Sequence, residues 1–364
     1  MSTPPPVPII DGHNDALLRL DRTEREGRPR DFFARGADGH LDLPRAREGG
    51  LAAAFFAVYV PPGSLDGDAV RVGGPNLDVT ITETGYEVPL GPPLDPGYAR
   101  RATFAMVARL LRLEARSGGR FRVARTADDL EAAMRDGTLA AILHLEGAEA
   151  IDPGLDALEV LYRAGLRSLG PVWSRPNAFG HGVPFRFPAS PDTGPGLTAA
   201  GRDLIRACNH LGILVDLSHL NERGFWDVAD LSTAPLVATH SAAHAVCPST
   251  RNLTDDQLRA IAASGGLVGM NFEVSSLRPD GHDDPDTPLE VLVRQVDELV
   301  ARMGIGHVAF GSDFDGATMP RAIGDAAGLP RLLASPRAHG YDDRALRQLA
   351  HENWLRVLRA TWRP

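Results

Sequence analysis

The chain has 364 residues, 43% of them hydrophobic, and a formal net charge of −9, as expected of a folded globular protein. The acidic balance and the lack of a basic block argue against nucleic acid or an anionic membrane surface as a partner. No stretch approaches the ~20 apolar residues of a membrane-spanning helix. The cysteines, Cys208 and Cys247, are too few for a disulfide framework, and the first residues lack a signal-peptide pattern, so we expect a cytoplasmic protein.

The chain contains no lysine, so every basic side chain other than histidine is an arginine. Schiff-base catalysis, P-loop phosphate binding and attachment of pyridoxal phosphate all need a lysine and are therefore excluded. A carbamylated lysine that bridges two metal ions is excluded for the same reason. Any bridging ligand in this chain must be an ordinary carboxylate.

Apolar, strand-like runs recur along the chain and alternate with helical patterns. The predicted strands cover residues 7–10, 52–60, 140–145, 168–172, 213–217, 236–239, 267–271 and 308–311. Helices are predicted over 99–117, 197–211 with Thr198 as N-cap, 289–303 and 343–361, and Thr254 to Gln257 forms a capping box. Alternation with helices predicts an α/β fold with parallel strands, and eight is the strand number of a (β/α)8 TIM barrel. We therefore expect one barrel domain over residues 1–364.

Two stretches rich in proline and glycine interrupt the alternation of strands and helices and are predicted to be loop insertions, at 61–96 and 174–195. Within the first, residues 80–88 are predicted to form a short hairpin. Loops of this length are usually functional or mobile.

Side chains that can bind a metal follow several of the predicted strands. His13 and Asp15 lie two residues apart, and such residues on a strand point to the same face. Glu146, His219 and His240 follow the third, fifth and sixth strands. Imidazole and carboxylate are ligands suited to zinc. Five ligands are too many for one tetrahedral catalytic zinc with an open position, so they predict two ions that share Glu146 as a bridge.

Further polar residues lie near the same strand ends. Asp313, after the eighth strand, can take a proton from the attacking water and pass it to the leaving amine. Arg251, after the sixth strand, is interpreted either as a clamp on a substrate carboxylate or as a surface charge. His144 shares a face with Glu146 one layer deeper and is interpreted as a core residue or a support for the ligands. Asp315 is interpreted as structural.

These segments together resemble the membrane-dipeptidase (renal dipeptidase) family of zinc peptidases. In chain order they are Asp-Gly-His13-Asn-Asp15, Leu-Glu146-Gly, Val-Asp-Leu-Ser-His219, Thr-His240-Ser, Thr-Arg251-Asn-Leu-Thr-Asp-Asp, Gly-Ser-Asp313-Phe-Asp-Gly and Glu352-Asn-Trp-Leu-Arg-Val-Leu. They span residues 9 to 358, which is nearly the whole chain, and their order is more specific than any single segment.

The resemblance implies an amidohydrolase-type barrel that cleaves dipeptides, including those with a D-residue at the C-terminal position. It implies two zinc ions, the first on His13 and Asp15, the second on His219 and His240, and both on Glu146. In the family's pattern Arg251 matches the carboxylate-binding arginine and Asp313 the catalytic aspartate. The expected partner is a small dipeptide substrate, and a homodimer is left open.

The chain departs from the family at one position. The family has a histidine after the fourth strand that helps to hold the scissile carbonyl oxygen, and this chain has Trp173 at that position. Trp173 is expected to form part of the wall of the substrate pocket. We predict that the loop 174–195 supplies the missing donor. His181, flanked by glycines, is the first candidate and Arg175 the second. The alternative is that the zinc ions alone polarise the carbonyl.

Two other functions remain open from the sequence. One is another metal-dependent amidohydrolase on the same scaffold, such as an N-acyl-amino-acid deacylase or a lactonase. The other is a metal-binding protein without catalysis, which the replacement of the family histidine by Trp173 suggests.

Overall fold

The computed structural model describes residues 7–66, 69–72 and 79–363. At its centre is a parallel sheet whose eight main strands we number β1 to β8. They are β1 (Ile9–Asn14), β2 (Leu51–Tyr59), β3 (Leu139–Glu146), β4 (Leu166–Gly170), β5 (Leu214–Val215), β6 (Val237–Ser241), β7 (Leu267–Met270) and β8 (Val308–Phe310). Each of them overlaps one predicted strand, so the predicted order of strands is confirmed.

The sheet closes on itself as a barrel. Its strand order is β5-β4-β3-β2-β1-β8-β7-β6, and a parallel bridge between Asp216 and Val237 joins the two ends. A short extra strand, Phe121–Val123, pairs with the beginning of β3. The predicted (β/α)8 barrel is therefore confirmed, with its active site expected at the carboxyl ends of the strands.

The first strand is longer than predicted, because it continues through polar residues to Asn14. The Asp11 carboxylate accepts hydrogen bonds from the backbone N and the hydroxyl of Ser312 at 2.6 and 2.8 Å. Asn14 donates from its side chain to the carbonyl of Phe55 at 2.9 Å. These bonds to neighbouring strands satisfy polar groups that would otherwise end a buried strand, and they place His13 inside β1.

Helices cover the outside of the barrel. The α-helices are Ala16–Arg25, Leu43–Glu48, Pro96–Arg116, Ala127–Asp136, Asp156–Ala164, Ala199–Leu211, Glu222–Leu231, Asp255–Ala263, Val274–Leu277, Leu289–Met303, Leu329–Ala338, Asp343–Arg347 and Asn353–Thr361. The N-cap Thr198 and the capping box of Thr254 and Gln257 are present as predicted. The helix predicted over 343–361 is interrupted by a π-helical turn, Gln348–Glu352, which a 3.6-residue period does not reveal over one turn.

The amino-terminal end of the barrel is a packed core. Trp354 enters it from the last helix, donates its indole N–H to the carbonyl of Phe310 at 3.1 Å, and packs on Phe55 with ring centroids 4.8 Å apart. A Cβ on Gly12 would lie 2.5 Å from the Trp354 ring, so only glycine fits there. Because this end is filled, the open space lies at the carboxyl ends of the strands.

The two loop insertions pair with each other above that end. Tyr86–Val88 pairs with Thr80–Ile81, as the predicted hairpin requires, and also with Phe185–Phe187 from the second insertion. A second hairpin joins Gly63–Asp66 and Ala69–Val72. Among the described residues, no helix is both long and apolar enough to cross a lipid bilayer.

Candidate metal centre

The five predicted ligands meet at the carboxyl ends of the barrel strands. His13 lies in β1 and Asp15 directly follows it, while Glu146 is the last residue of β3. His240 lies in β6, and His219 follows β5 in a turn where its backbone has a φ of 66°. All five side chains are buried. Residues that are up to 227 positions apart in the chain (13 to 240) are thus brought together by the barrel.

The two carboxylate oxygens of Glu146 face different partners. Oε2 lies 3.7 Å from Nε2 of His13, which is itself 3.6 Å from Oδ2 of Asp15. Oε1 lies 3.0 Å from Nε2 of His219 and 3.7 Å from Nε2 of His240. Glu146 therefore stands between a His–Asp pair and a His–His pair, which is the position a carboxylate needs to bridge two cations.

Hydrogen bonds behind the two histidines orient their rings. Nδ1 of His219 lies 2.9 Å from the Ser174 hydroxyl, and Nδ1 of His240 lies 2.9 Å from the Thr239 hydroxyl. The Thr239 hydroxyl donates to Asp216 at 2.6 Å, so it accepts from His240. Nδ1 of His240 then carries the ring proton, and Nε2 presents a lone pair to the site, as a metal ligand does.

The residues present fit a metal ion. Both ring nitrogens of His13 and Oδ1 of Asp15 are buried without a hydrogen-bond partner among the described residues. Buried polar atoms are rarely left unpaired, and a cation would satisfy these. The surrounding donor set of imidazole nitrogens and carboxylate oxygens is suited to zinc.

Burial and mutual charge set the protonation of the cluster. Burial lowers the pKa of His219 and His240 well below the usual range, and the nearby Arg251 and His13 cations lower it further. Burial also acts to lower the pKa of His13, but the neighbouring carboxylates, Glu146 foremost, outweigh it and raise the pKa to about 10. Burial raises the pKa of Glu146 well above its usual range. Without a metal, the cluster therefore retains protons at neutral pH.

Asp313 lies beside the His13–Asp15 pair. Its backbone has a φ of 62°, a conformation that a non-glycine residue holds only when its surroundings fix it, and its N donates to the carbonyl of His13 at 3.0 Å. One carboxylate oxygen lies within 4.8 Å of ligand atoms of His13 and Asp15, which suits a third ligand or a proton acceptor. Burial raises the pKa of Asp313 to about 7. Asp315 instead accepts from the backbone N of His40 at 2.7 Å, as a structural residue would.

The cluster opens into a cavity of about 1180 Å³. Arg251 is buried in its wall and donates to the carbonyl of His240 at 3.2 Å. Trp173 lines the same cavity, with its ring centroid 5.7 Å from that of His219 and 5.6 Å from that of Phe185. Both predicted substrate-binding residues therefore face the space into which the predicted metal ligands open.

The structure does not bring the two predicted loop donors to that space. The Arg175 guanidinium donates to Glu149 at 2.8 Å and to the carbonyl of Val60 at 2.6 Å, and it is buried. His181 is half-buried and is not among the residues that line the cavity. Neither side chain lines the cavity, so the structure does not place them where the expected carbonyl-polarising role would need them, and that role stays a prediction.

Two residues that line the cavity, Glu273 and Tyr59, were not predicted from the sequence. Glu273, after β7, accepts hydrogen bonds from the hydroxyls of Ser275 and Ser276 at 2.5 Å each, and its charge acts on buried Arg251. Tyr59 is the last residue of β2 and lines the cavity. Both lie at strand ends, so the rule that finds Glu146 would find them if it were extended beyond histidines and metal ligands.

A closed (β/α)8 barrel with imidazole and carboxylate side chains gathered at the carboxyl ends of its strands is typical of a metal-dependent hydrolase. A family model for membrane dipeptidases, peptidase family M19, matches residues 5–363. The chain therefore belongs to the membrane dipeptidase family, which confirms the resemblance found in the sequence. As a member it is a metallodipeptidase, a hydrolase that acts on peptide bonds.

Two solved structures agree with this assignment, and an uncharacterised protein is similar to the chain in sequence. A Rhodobacter sphaeroides metallopeptidase with a bound phosphinate mimic of L-Ala-D-Ala is 52% identical, with a TM-score of 0.91 over 98% of this chain and 100% of that one. A metallopeptidase described as dipeptidase AC is also 52% identical, with a TM-score of 0.89 over 98% and 99% of the two chains. An uncharacterised Klebsiella pneumoniae protein of the pqqA 5′ region is 53% identical over 267 residues, or 73% of this chain and 98% of that protein.

Proposed function

We propose that this chain hydrolyses dipeptides at a site of two zinc ions, and that dipeptides of the L-Xaa-D-Xaa type are among its substrates. The observation that carries the proposal is the position of Glu146, whose two oxygens face two separate ligand pairs. A site for a single ion would not need a carboxylate turned toward both pairs.

The proposed ligands of the first ion are His13 and Asp15, those of the second are His219 and His240, and Glu146 serves both. Bound zinc would act as a Lewis acid toward the scissile carbonyl and would lower the pKa of a water molecule so that it can attack at neutral pH. The unpaired buried atoms of His13 and Asp15 support the first set.

Arg251 is proposed to bind the free C-terminal carboxylate of the dipeptide. Its guanidinium is buried, lines the cavity and lies close enough to His240 to donate to its carbonyl. A guanidinium can hold a carboxylate through two parallel hydrogen bonds, which fixes the substrate in position as well as binding it. This requirement for a free carboxylate would restrict cleavage to the last peptide bond of a very short substrate.

Asp313 is proposed to handle the proton. Its carboxylate lies beside the ligand atoms of His13 and Asp15. From this position it can accept a proton from the attacking water and then donate it to the leaving amine.

The stereochemical part of the proposal is supported by the Rhodobacter sphaeroides relative, which binds a phosphinate mimic of L-Ala-D-Ala and is 52% identical. The cavity of this chain is large, at about 1180 Å³, and therefore leaves room for either configuration at the C-terminal residue. We infer a tolerance of D-residues rather than a requirement for them.

The test is a substrate panel on the zinc-reconstituted protein, with L-Ala-L-Ala, L-Ala-D-Ala, an N-acetyl amino acid and a homoserine lactone. We expect hydrolysis of the dipeptides, its loss after chelation and its recovery with zinc, and two zinc ions per chain by elemental analysis. Turnover of only the N-acyl amino acid or the lactone would favour a deacylase or a lactonase. Zinc binding with no hydrolysis would favour a metal-binding protein without catalysis.

A further inference from the structure

Tyr59 and Glu146 are register partners at the carboxyl ends of two neighbouring strands, β2 and β3. Paired residues on adjacent parallel strands point to the same side of the sheet. Glu146 points into the mouth of the barrel, where it meets the other ligands, and Tyr59 therefore points there as well. Both residues line the cavity.

The Tyr59 ring is fixed while its hydroxyl is unoccupied. The ring lies against Trp173, with centroids 4.9 Å apart, and the Arg175 guanidinium lies 5.2 Å from its centre. Tyr98 and Tyr341 use their hydroxyls in hydrogen bonds to Pro61 and Asp297. The Tyr59 hydroxyl, by contrast, has no such bond within the described part of the chain, so it is available to a molecule in the cavity.

Hydrolysis of a peptide bond develops negative charge on the carbonyl oxygen, and a positioned N–H or O–H donor stabilises that charge. Two arginines of this region are already engaged. Arg175 is occupied by Glu149 and the carbonyl of Val60, and Arg251 is assigned to the substrate carboxylate. A phenol has an ordinary pKa near 10, so Tyr59 carries a proton that it can donate at neutral pH. Trp173, with one indole N–H, is the competing donor.

We propose that the Tyr59 hydroxyl donates a hydrogen bond to the scissile carbonyl oxygen as it becomes an oxyanion. The phenol keeps its proton throughout, and no covalent bond to Tyr59 forms or breaks. Trp173 and Arg175 act on this step through Tyr59, because both lie against its ring. This inference rests on the proposed dipeptidase function and assigns one further catalytic residue to it.

The test compares Tyr59→Phe with the parental zinc-loaded enzyme on the same dipeptide. Loss of one oxyanion donor typically lowers kcat by ~10²–10³-fold, and we expect a loss in that range with an unchanged zinc content. KM should change little, because the bond strengthens only as charge develops in the transition state. Tyr341→Phe removes a hydroxyl outside the cavity and should leave kcat at the parental value.

Binding of a phosphinate dipeptide mimic gives a second readout that needs no turnover. The charged phosphinate oxygens resemble the oxyanion, so Tyr59→Phe should weaken the affinity for the mimic by a factor similar to its loss in kcat. Trp173→Phe keeps the Tyr59 hydroxyl and should weaken that affinity less. The reverse ranking would assign the donor to the Trp173 indole and would overturn the proposal.

The outcomes also separate this inference from the function on which it rests. A parental enzyme that hydrolyses no dipeptide contradicts the proposed function. A parental enzyme that does so, together with a Tyr59→Phe variant of near-parental kcat, refutes only the role of Tyr59. Loss of zinc from Tyr59→Phe would likewise count against it, since a donor to the substrate does not hold the metal.

Discussion

Nε2 of His219 and Nε2 of His240 lie 3.1 Å apart. Thr239 fixes the ring proton of His240 on Nδ1, so its Nε2 presents a lone pair to the site. Oε1 of Glu146 lies 3.0 Å from Nε2 of His219, so three candidate ligand atoms meet at one place. A cation bound among them would contact all three at once and would thereby stabilise the folded chain.

Metal removal should accordingly destabilise the protein. A ligand that binds only the folded state adds about 2.7 kcal/mol of stability when its free concentration is 100 times its Kd. We expect Tm to fall on chelation and to recover when zinc is restored, as measured by differential scanning fluorimetry. An unchanged Tm after verified removal of the metal would show that the cluster is stable without it.

Glu146→Gln should impair both metal positions together. A neutral amide bridges two cations poorly, and both oxygens of Glu146 face ligand pairs. We expect elemental analysis after zinc reconstitution and desalting to show fewer than two ions per chain, with loss from both positions. Glu159→Gln, at an exposed position where the carboxylate pairs with Arg163, is the matched control and should retain the parental content. Loss of one ion with full retention of the other would contradict a shared bridge.

The position of Asp313 allows two roles, proton carrier and metal ligand, and the Asp313→Asn variant distinguishes between them. If Asp313 carries the proton, kcat should fall by ~10²–10⁴-fold, the usual range for a general acid–base group, while zinc content stays at the parental level. Steady-state kinetics and elemental analysis on the same preparation check both. A variant that has lost zinc would instead identify Asp313 as a ligand together with His13 and Asp15.

Arg251→Ala should weaken the recognition of the substrate carboxylate. A hydrogen bond to a charged group contributes ~1.5–3 kcal/mol, so we expect kcat/KM for a dipeptide to fall by ~10–150-fold or more. The parental enzyme should cleave the dipeptide amide poorly, and the variant should cleave the dipeptide and its amide at similar rates. Equal turnover of both by the parental enzyme would exclude this role.

The barrel and the convergence of the five predicted ligands could be predicted from the sequence because both follow a local rule. Strands are visible as apolar runs, and parallel strands present their carboxyl ends to one common space. His13, Glu146 and His240 therefore converge whatever the detailed packing is. The number and the residue types of these side chains indicate a metal site even before any interatomic distance is known.

What escaped prediction depends on contacts between distant segments. The sequence places Tyr59 at the end of a strand, but the register with Glu146 that turns its side chain toward the cavity is known only from the fold. The glycines on both sides of His181 suggest a flexible backbone, but His181 is not among the residues that line the cavity. The sequence gives no sign that the Arg175 guanidinium has a partner. Glu149 lies 26 residues earlier in the chain, and only the fold brings it beside Arg175.

Zinc affinity should rise with pH, because zinc must displace protons from the cluster. In the metal-free protein, burial and the Glu146 carboxylate act oppositely on His13, and the net effect raises its pKa to about 10, so the ring is protonated across the neutral range. Burial raises the pKa of Asp313 to about 7, so this carboxyl also gains a proton as the pH falls below that value. Each displaced proton makes the affinity change about tenfold per pH unit.

Competition with a chromogenic chelator at about pH 6 and about pH 8 should therefore give a Kd at least ~100-fold higher at the lower pH. The dependence of Kd on pH should be steeper below about pH 7 than above it. Calorimetry in two buffers of different ionisation enthalpy should count at least one proton released per zinc bound near neutral pH. In Asp313→Asn the affinity should depend on pH less steeply below pH 7, since one titrating group is gone. A Kd that does not vary with pH would mean that the ligands are already deprotonated before zinc arrives.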